Sequence, residues 1–341
     1  MKLLLAVTLA FATFAVWPAS PDDWLARASE AVRTSNYRGV LVYLRNGKMD
    51  TLRIVHRFAD GHERERLVSL TGEPREIIRD GGVVTCVLPN KRMVLVARHS
   101  MSGLLNSVAE LVRAEVGANY SIEDRGTQRL ADRKCRSIAV TPRDEYRYGY
   151  HLLVDEETNL PLKLDLVQGD EILEQMMFTQ IEFPETITDA SLAPTFDTEA
   201  FKWVRHQPAD AQAGAEPQEA EAAAAKSSPP LAVQDVWEVT QLPPGFRLAE
   251  SGVRRIGNGD YARQMLFTDG VTTISLFIAP PDSRPEFKGA TTMGAVNAYG
   301  RQIDGFQATA VGEVPEVTVR FITEHLRRRP TTAAAESSTE K

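Results

Sequence analysis

The sequence predicts an α+β protein that is mostly antiparallel β: a large curved sheet, open as a half-barrel and carrying helices, and a small antiparallel sheet capped by one helix. Three observations carry this. From Tyr37 to Ala97 six short strand-like runs follow one another with turn pairs between them and no intervening helix, a meander and not a βαβ pattern. The stretch Tyr146–Leu166 reads as a hairpin with one apolar face. An Ala- and Pro-rich segment, 207–230, then separates a second set of strands that ends in a helix opened by Pro315.

The elements follow in order. Trp24, Leu25, Ala28, Ala31 and Val32 recur at helical spacing, predicting a helix over Asp22–Ser35. Val40–Leu44 is a strand closed by Asn46-Gly47, and Thr51–Phe58 alternates up to the turn Asp60-Gly61. His62–Leu70, Arg75–Arg79, Val83–Leu88 and Met93–Ala97 complete the meander. Leu104, Leu105, Val108, Leu111 and Val112 make an apolar stripe and predict a helix over Gly103–Arg113, either plugging the core or lying across the hollow of a curved sheet. Strands resume at Tyr120–Leu130 and Lys134–Thr141. In the hairpin the polar run Asp155–Asn159 turns the chain, and Leu160, Leu162, Leu164 and Leu166 then alternate with Pro161, Lys163 and Asp165. Glu171–Phe183 is the last strand of this set. Ten or eleven strands of this kind tend to curl, leaving an apolar hollow.

Segment 207–230 holds nine Ala, four Pro and no aromatic residue, the composition of a linker. Beyond it strands are expected at Val236–Glu238, Phe246–Val253, Tyr261–Thr268, Val271–Ala279, Asn297–Ile303 and Phe306–Gly312, with Asn258-Gly259 and Asp269-Gly270 as hairpin turns. Val317, Phe321, Ile322 and Leu326 give the closing helix its apolar side. The expected organisation is a leader over 1–20, a large domain over 21–206, a linker over 207–230, a small domain over 231–328 and a disordered tail over 329–341.

With 43% hydrophobic and 25% charged residues in 341, the chain is an ordinary globular protein able to bury two cores. A formal net charge of −7 argues against general nucleic-acid binding. Lys2 followed by an apolar run to Trp17, and then by Pro18-Ala19-Ser20-Pro21, reads as a secretory leader cut after Ala19 or Ser20. An uncut N-terminal anchor is the alternative, although the run is shorter than a membrane-spanning helix needs. Export makes a Cys86–Cys135 disulfide the expectation, against two separate buried thiols.

Catalytic signatures are missing. His62-Glu63 continues to Arg66 and not to a second His, no Ser sits in a Gly-x-Ser-x-Gly elbow, and Gly257-Asn258-Gly259 lacks a third glycine. The six His residues are scattered, so no catalytic or metal site and no cofactor is expected. Arg64, Arg66, Arg75 and Arg79 alternate with Glu63, Glu65, Glu73 and Glu76; cross-strand ion pairing explains them, and a strip for an anionic lipid head is the second reading. Binding is left as the function.

Several runs resemble the RseB/MucB family of periplasmic negative regulators of the sigma-E envelope stress response. They are Asn36-Tyr37-Arg38-Gly39, Glu65–Leu70 with Arg75–Arg79, and Tyr146-Arg147-Tyr148-Gly149-Tyr150. In the second half they are Thr268-Asp269-Gly270, Gly294-Ala295-Val296-Asn297 and Val311-Gly312-Glu313-Val314-Pro315. The resemblance implies a LolA/LolB-like large domain that senses lipid. It implies a small domain that, with part of the large one, grips the periplasmic segment of a membrane anti-sigma factor of the RseA/MucA type and shields it from proteolysis. Lipopolysaccharide or a mislocalised lipid or lipoprotein would release the grip, and the protein would form homodimers. On this reading Leu52, Ile54, Leu104, Leu105, Val108, Leu162 and Leu164 line the lipid cavity, each of them otherwise ordinary core. Phe267, Thr268, Asp269, Leu276 and Phe277 form the partner surface. A lipid or lipoprotein carrier without a signalling partner, and a purely structural envelope protein, are the other two classes.

Overall fold

The computed structural model describes residues 20–98, 116–206, 236–256, 260–280 and 287–329. The leader up to residue 19, the 103–113 helix with Leu104, Leu105 and Val108, the 207–230 linker, the Asn258-Gly259 turn and the tail from residue 330 lie outside these residues.

Helix α1 runs Pro21–Thr34. Ser20 caps it in a reciprocal box: its hydroxyl accepts from the Asp23 N–H at 3.2 Å while the Asp23 carboxylate accepts from the Ser20 N–H at 2.8 Å. Leu25, Ala28 and Val32, one stripe of the helix, pack into the main core.

The meander forms as expected: β1 (Tyr37–Arg45), β2 (Lys48–Ala59), β3 (His62–Ser69), β4 (Glu76–Asp80), β5 (Val83–Leu88) and β6 (Met93–Arg98). Then come β7 (Tyr120–Leu130), β8 (Arg133–Pro142), β9 (Gly149–Asp155), β10 (Pro161–Gln168), β11 (Glu171–Glu182) and β12 (Lys202–His206). They build one sheet in the order β12-β6-β5-β4-β3-β2-β1-β11-β10-β9-β8-β7, with β12 and β7 as its edges among the described residues, so the sheet is open and not a closed barrel. The sequence gives no hint of β12, which joins β6 in parallel after the chain has crossed the sheet's outer face.

The hairpin sits near the middle. Leu152 faces Leu164, and Leu164 faces Met176; with Ile138, Phe178, Leu41 and Ile54 they make the inner core under α1. Asp155 closes the turn: Arg133 donates to both of its oxygens at 2.9 Å and the Thr158 N–H to one at 2.9 Å. On the outer face of β2–β4, Arg57 and Arg64 meet Asp189 at 2.8 Å and Arg66 meets Glu76 at 2.7 Å, while on the inner face Arg79 meets Glu65. Ion pairing thus accounts for Arg64, Arg66 and Arg79 of the expected strip.

The second half holds a six-stranded antiparallel sheet, in order β14 (Arg247–Ile256), β15 (Asp260–Thr268), β16 (Thr273–Ala279), β19 (Phe306–Gly312), β18 (Val296–Ile303) and β17 (Gly289–Met293). Helix α2 (Glu316–Glu324) covers one face through Val319 and Ile322, both fully buried. A two-stranded ribbon pairs β13 (Val236–Val239) with β20 (Leu326–Arg329). Two expectations are corrected here. Leu326 is not on the helix and Arg329 is not in a tail, because the chain leaves the helix at His325 and returns as β20 beside Trp237.

The expected disulfide is also corrected. Cys86 on β5 and Cys135 on β8 are free thiols, and eight inter-strand steps separate them in the sheet order, about 38 Å measured along the sheet. Burial pushes both thiols up, Cys135 to about 11.

Candidate functional site

The motifs that the two halves contribute meet in space. Just before β9, the chain makes a turn in which the Tyr146 N–H donates to Asp144 at 3.0 Å. This presents Tyr146, Arg147 and Tyr148 to the small sheet. Tyr146 packs edge-on against Phe321 of α2 at 5.4 Å, and its carbonyl accepts from the Thr318 hydroxyl at 2.9 Å.

Arg147 is fully buried, and all three of its guanidinium nitrogens are engaged. Nε donates to Asp269 Oδ2 at 2.7 Å, Nη1 to Asp144 and Nη2 to the Pro244 carbonyl, while Phe246 lies under the group at 4.9 Å. A buried charge is tolerable only with such complete pairing. Asp269 can serve because it is already fixed: its other oxygen accepts the Val271 and Thr272 N–H groups at 3.0 and 2.9 Å, closing the β15–β16 turn at Gly270, whose φ is 96°.

Tyr148 continues the joint. Its hydroxyl donates to the Ala295 carbonyl at 3.0 Å and accepts from Asn297 Nδ2 at 2.9 Å, and Asn297 also donates to the Val314 carbonyl at 2.8 Å. Ala295 and Val271 from the small sheet's turns insert into the large sheet's core. The approach is close enough to demand glycine. A Cβ on Gly294, whose φ is 62°, would stand 1.9 Å from Asn46 Oδ1 of the β1–β2 turn. Beside this contact the Tyr43 hydroxyl donates to Glu174 at 2.5 Å, and Arg45 pairs with the same carboxylate at 3.0 Å. Across the joint the Glu313 carboxyl is raised, first by desolvation and then by Glu174, with Arg45 opposing.

Next to the joint opens a cleft of 620 Å³, walled by Leu44, Asn46 and Ile172 on one side and by Thr292, Asn297 and Glu316 on the other. A second feature lies on the large sheet's inner face. Leu67, Ile77, Cys86, Leu95 and Val204 stand in register on β3, β4, β5, β6 and β12, all partly open and Leu95 still 36% exposed.

The expected site residues fall in different places. Ile54, Leu162 and Leu164 are fully buried in the large core, and Leu52 packs partly buried against it. Phe267 and Leu276 are fully buried in the small core, with no side-chain surface for a partner. Thr268 ties its own turn through the Gly270 N–H and the Thr272 carbonyl, Asp269 is consumed by Arg147, and only Phe277 keeps an open outer face. Sequence reasoning missed Arg147, Tyr148 and Asn297 as a unit, although all three lie within the motifs that carried the resemblance. Among the described residues no group of three His, Cys, Asp or Glu is placed to hold a metal, and no helix is long and apolar enough to cross a membrane.

Two sheets locked by a polar joint beside an open cleft define a two-part binding protein. Family models agree on which one. The MucB/RseB N-terminal domain matches residues 20–196 and the MucB/RseB C-terminal domain matches 232–327. The chain belongs to the MucB/RseB family. It is 33% identical over 340 residues to the sigma factor AlgU regulatory protein MucB of Pseudomonas aeruginosa, covering 98% of both chains. It is 26% identical over 341 residues to the sigma-E factor regulatory protein RseB of Escherichia coli strain K12, covering 96% of both. Among solved structures, the P. aeruginosa MucA/MucB complex gives a TM-score of 0.66 at 28% identity, covering 92% of this chain and 100% of that one. MucB crystallised as such gives 0.55 at 27% identity, covering 91% and 98%.

Proposed function

We propose that this chain is a periplasmic regulator that binds the periplasmic domain of a membrane anti-sigma factor of the RseA/MucA type. Binding shields that domain from regulated proteolysis, and lipopolysaccharide or a mislocalised lipid or lipoprotein releases it. The large sheet is the LolA/LolB-like lipid-sensing domain, the small sheet grips the partner, and the protein works as a homodimer after its leader is removed. One observation carries the reading: the joint of Arg147, Asp269, Tyr148 and Asn297 holds two sheets in one orientation around an open cleft. The higher TM-score against MucB bound to MucA is in keeping with it.

Coupling needs no more than two arrangements of the sheets. A lipid that binds the large sheet better in the arrangement unable to grip the partner lowers partner affinity by its own preference between the two. The half-open aliphatic row from Leu67 to Val204 is where an acyl chain would lie. The same row supports the alternative, a lipid or lipoprotein carrier without a signalling partner.

The test is isothermal titration of the mature chain with the periplasmic domain of the cognate anti-sigma factor, with and without lipopolysaccharide. Binding that lipopolysaccharide abolishes is the expected result. Binding indifferent to lipopolysaccharide removes that ligand from the proposal. No binding, together with extraction of lipid from vesicles, establishes the carrier.

A further inference from the structure

One sheet edge beside the cleft is built differently from the others. A free strand edge presents unpaired N–H and C=O groups, and proteins blunt such edges with charge, bulges or brevity. The large sheet's edge β7 carries Glu123, Asp124, Arg125 and Arg129, and it bulges between Asp124 and Thr127, where Gly126 takes a φ of 88°. The small sheet's edge β14 carries Arg247, Glu250, Arg254 and Arg255 and slips register between Leu248 and Glu250. Edge β12 is five residues long and holds Lys202 and Arg205. Edge β17 has only shortness and a left-handed glycine at its first residue, Gly289 with a φ of 87°. It reads Gly289-Ala290-Thr291-Thr292-Met293, without charge or proline, and its five pairs with β18 run without a slip. Four of the five residues are exposed, Met293 at 64%, and among the described residues no strand pairs with the outer side.

This edge also borders the cleft, because Thr292 lines both. Among the described residues, the charged side chains lining the cleft are two carboxylates, Glu171 from β11 and Glu316 from α2, and Glu316 is already paired with Arg320 one turn along the helix. Ala290 and Thr292 stand opposite Tyr299 and Asn297, so they share the sheet face that α2 covers. A strand laid along β17 would therefore turn alternate side chains toward Glu316 and the cleft.

We propose that β17 is a docking edge, which takes an extended segment of the partner polypeptide as an added strand and receives a lysine or arginine of that segment at Glu171. The identity of the partner rests on the function proposed above; the mode of capture rests on the edge. Main-chain pairing supplies affinity with little demand on sequence, and the acidic cleft selects register and direction. Five residues give an edge of about 17 Å, room for about five residues of the partner.

The test is titration of the mature chain with the periplasmic domain of the cognate anti-sigma factor, comparing wild type with Thr291→Lys, Thr291→Pro and Glu171→Gln. Circular dichroism checks folding; if Thr291→Pro unfolds the small sheet, Thr291→Lys decides. The expected result is a loss of about tenfold or more for the edge variants, the equivalent of one or two main-chain hydrogen bonds. Glu171→Gln weakens binding less and flattens its salt dependence. Hydrogen exchange shows new protection in 289–293 only with the partner present. Wild-type affinity in both edge variants, with exchange in 289–293 unchanged, overturns the docking edge and leaves the proposed function standing. No binding by wild type overturns both. An edge variant that abolishes a dimer of the free chain while keeping full partner affinity assigns the edge to a second copy and overturns the proposal.

Discussion

The buried pair at the joint makes a sharp prediction for Asp269→Asn. The Arg147 and Asp269 side chains have no exposed surface and meet at 2.7 Å. At an effective dielectric constant of 20 the gross attraction of such charges is about 6 kcal/mol, and the cost of desolvating both offsets much of it. Removing one partner is the severe case, costing roughly 3–5 kcal/mol, because the other charge stays buried. Asp144 still neutralises part of the guanidinium, which places the expectation near the lower end, about 3 kcal/mol. Asparagine is the right probe, since its carbonyl still accepts the Val271 and Thr272 N–H groups and keeps the β15–β16 turn. The loss then falls on the joint alone. In urea the small-sheet transition moves to lower concentration, or the two sheets part and the radius of gyration in solution scattering grows. The double variant Arg147→Met/Asp269→Asn removes the stranded charge and recovers more than half of the loss. A single variant with wild-type urea midpoint and wild-type scattering, or a coupling energy under about 1 kcal/mol, refutes the argument that this pair locks the sheets.

Three further perturbations bear on the same joint. Tyr148→Phe leaves the Ala295 carbonyl without its donor and Asn297 with one acceptor fewer, and costs about 1–2 kcal/mol in chemical denaturation. Gly294→Ala strains a positive φ and drives its methyl into Asn46; it lowers the melting temperature, and Asn46→Gly, at a φ of 54°, restores part of the loss. Acid and base act oppositely at two carboxyls. Burial disfavours the Asp155 carboxylate, but Arg133 and Thr158 outweigh it and lower the folded value below 3.8, so its stability is present above the unfolded value and is lost as pH falls through the folded one. Desolvation and Glu174 raise Glu313 above 4.5, so its contribution is present below the unfolded value and is lost as pH rises through the folded one. Melting temperatures across pH 3–8 read both: Asp155→Asn flattens the acid limb, and Glu313→Gln flattens the limb just above pH 4.5.

Local chemistry made much of the fold legible. The alternation Leu160–Leu166 and the turn pairs at Asn46-Gly47 and Asp60-Gly61 are two-residue rules, and each element they mark is where the pattern puts it. What such rules cannot convey is distance across the fold. Arg147 and Asp269 lie 122 positions apart, and neither neighbourhood announces a partner. Leu162 and Leu164 have the same pattern whether the face they share is filled by other side chains or left hollow for a ligand. Phe267 and Leu276 alternate like any half-buried strand, which identifies two faces without saying which is covered. The pairing of Cys86 with Cys135 followed from parity and compartment, while sheet order places the thiols far apart. Strand β17 was missed because an exposed edge of small residues has no apolar period to read. The least patterned strand is also the one whose edge is least protected.

The composition of the joint bears on how such a protein can let go. An apolar seam of similar extent would bind the sheets through area alone, and opening it would expose that whole area to water at once. Here the closest contacts are an ion pair, a tyrosine hydroxyl, an asparagine amide and backbone carbonyls, groups that water can satisfy when the sheets part. Closed, they specify a single orientation, because Arg147 and Asn297 each need several acceptors in place together. Open, they are rehydrated, and the apolar burial lost is that of the small plug of Ala295 and Val271 and of Tyr146 against Phe321. A seam of this kind has a steep angular preference and a modest opening cost, which is what a ligand on one sheet requires if it is to change what the other sheet holds.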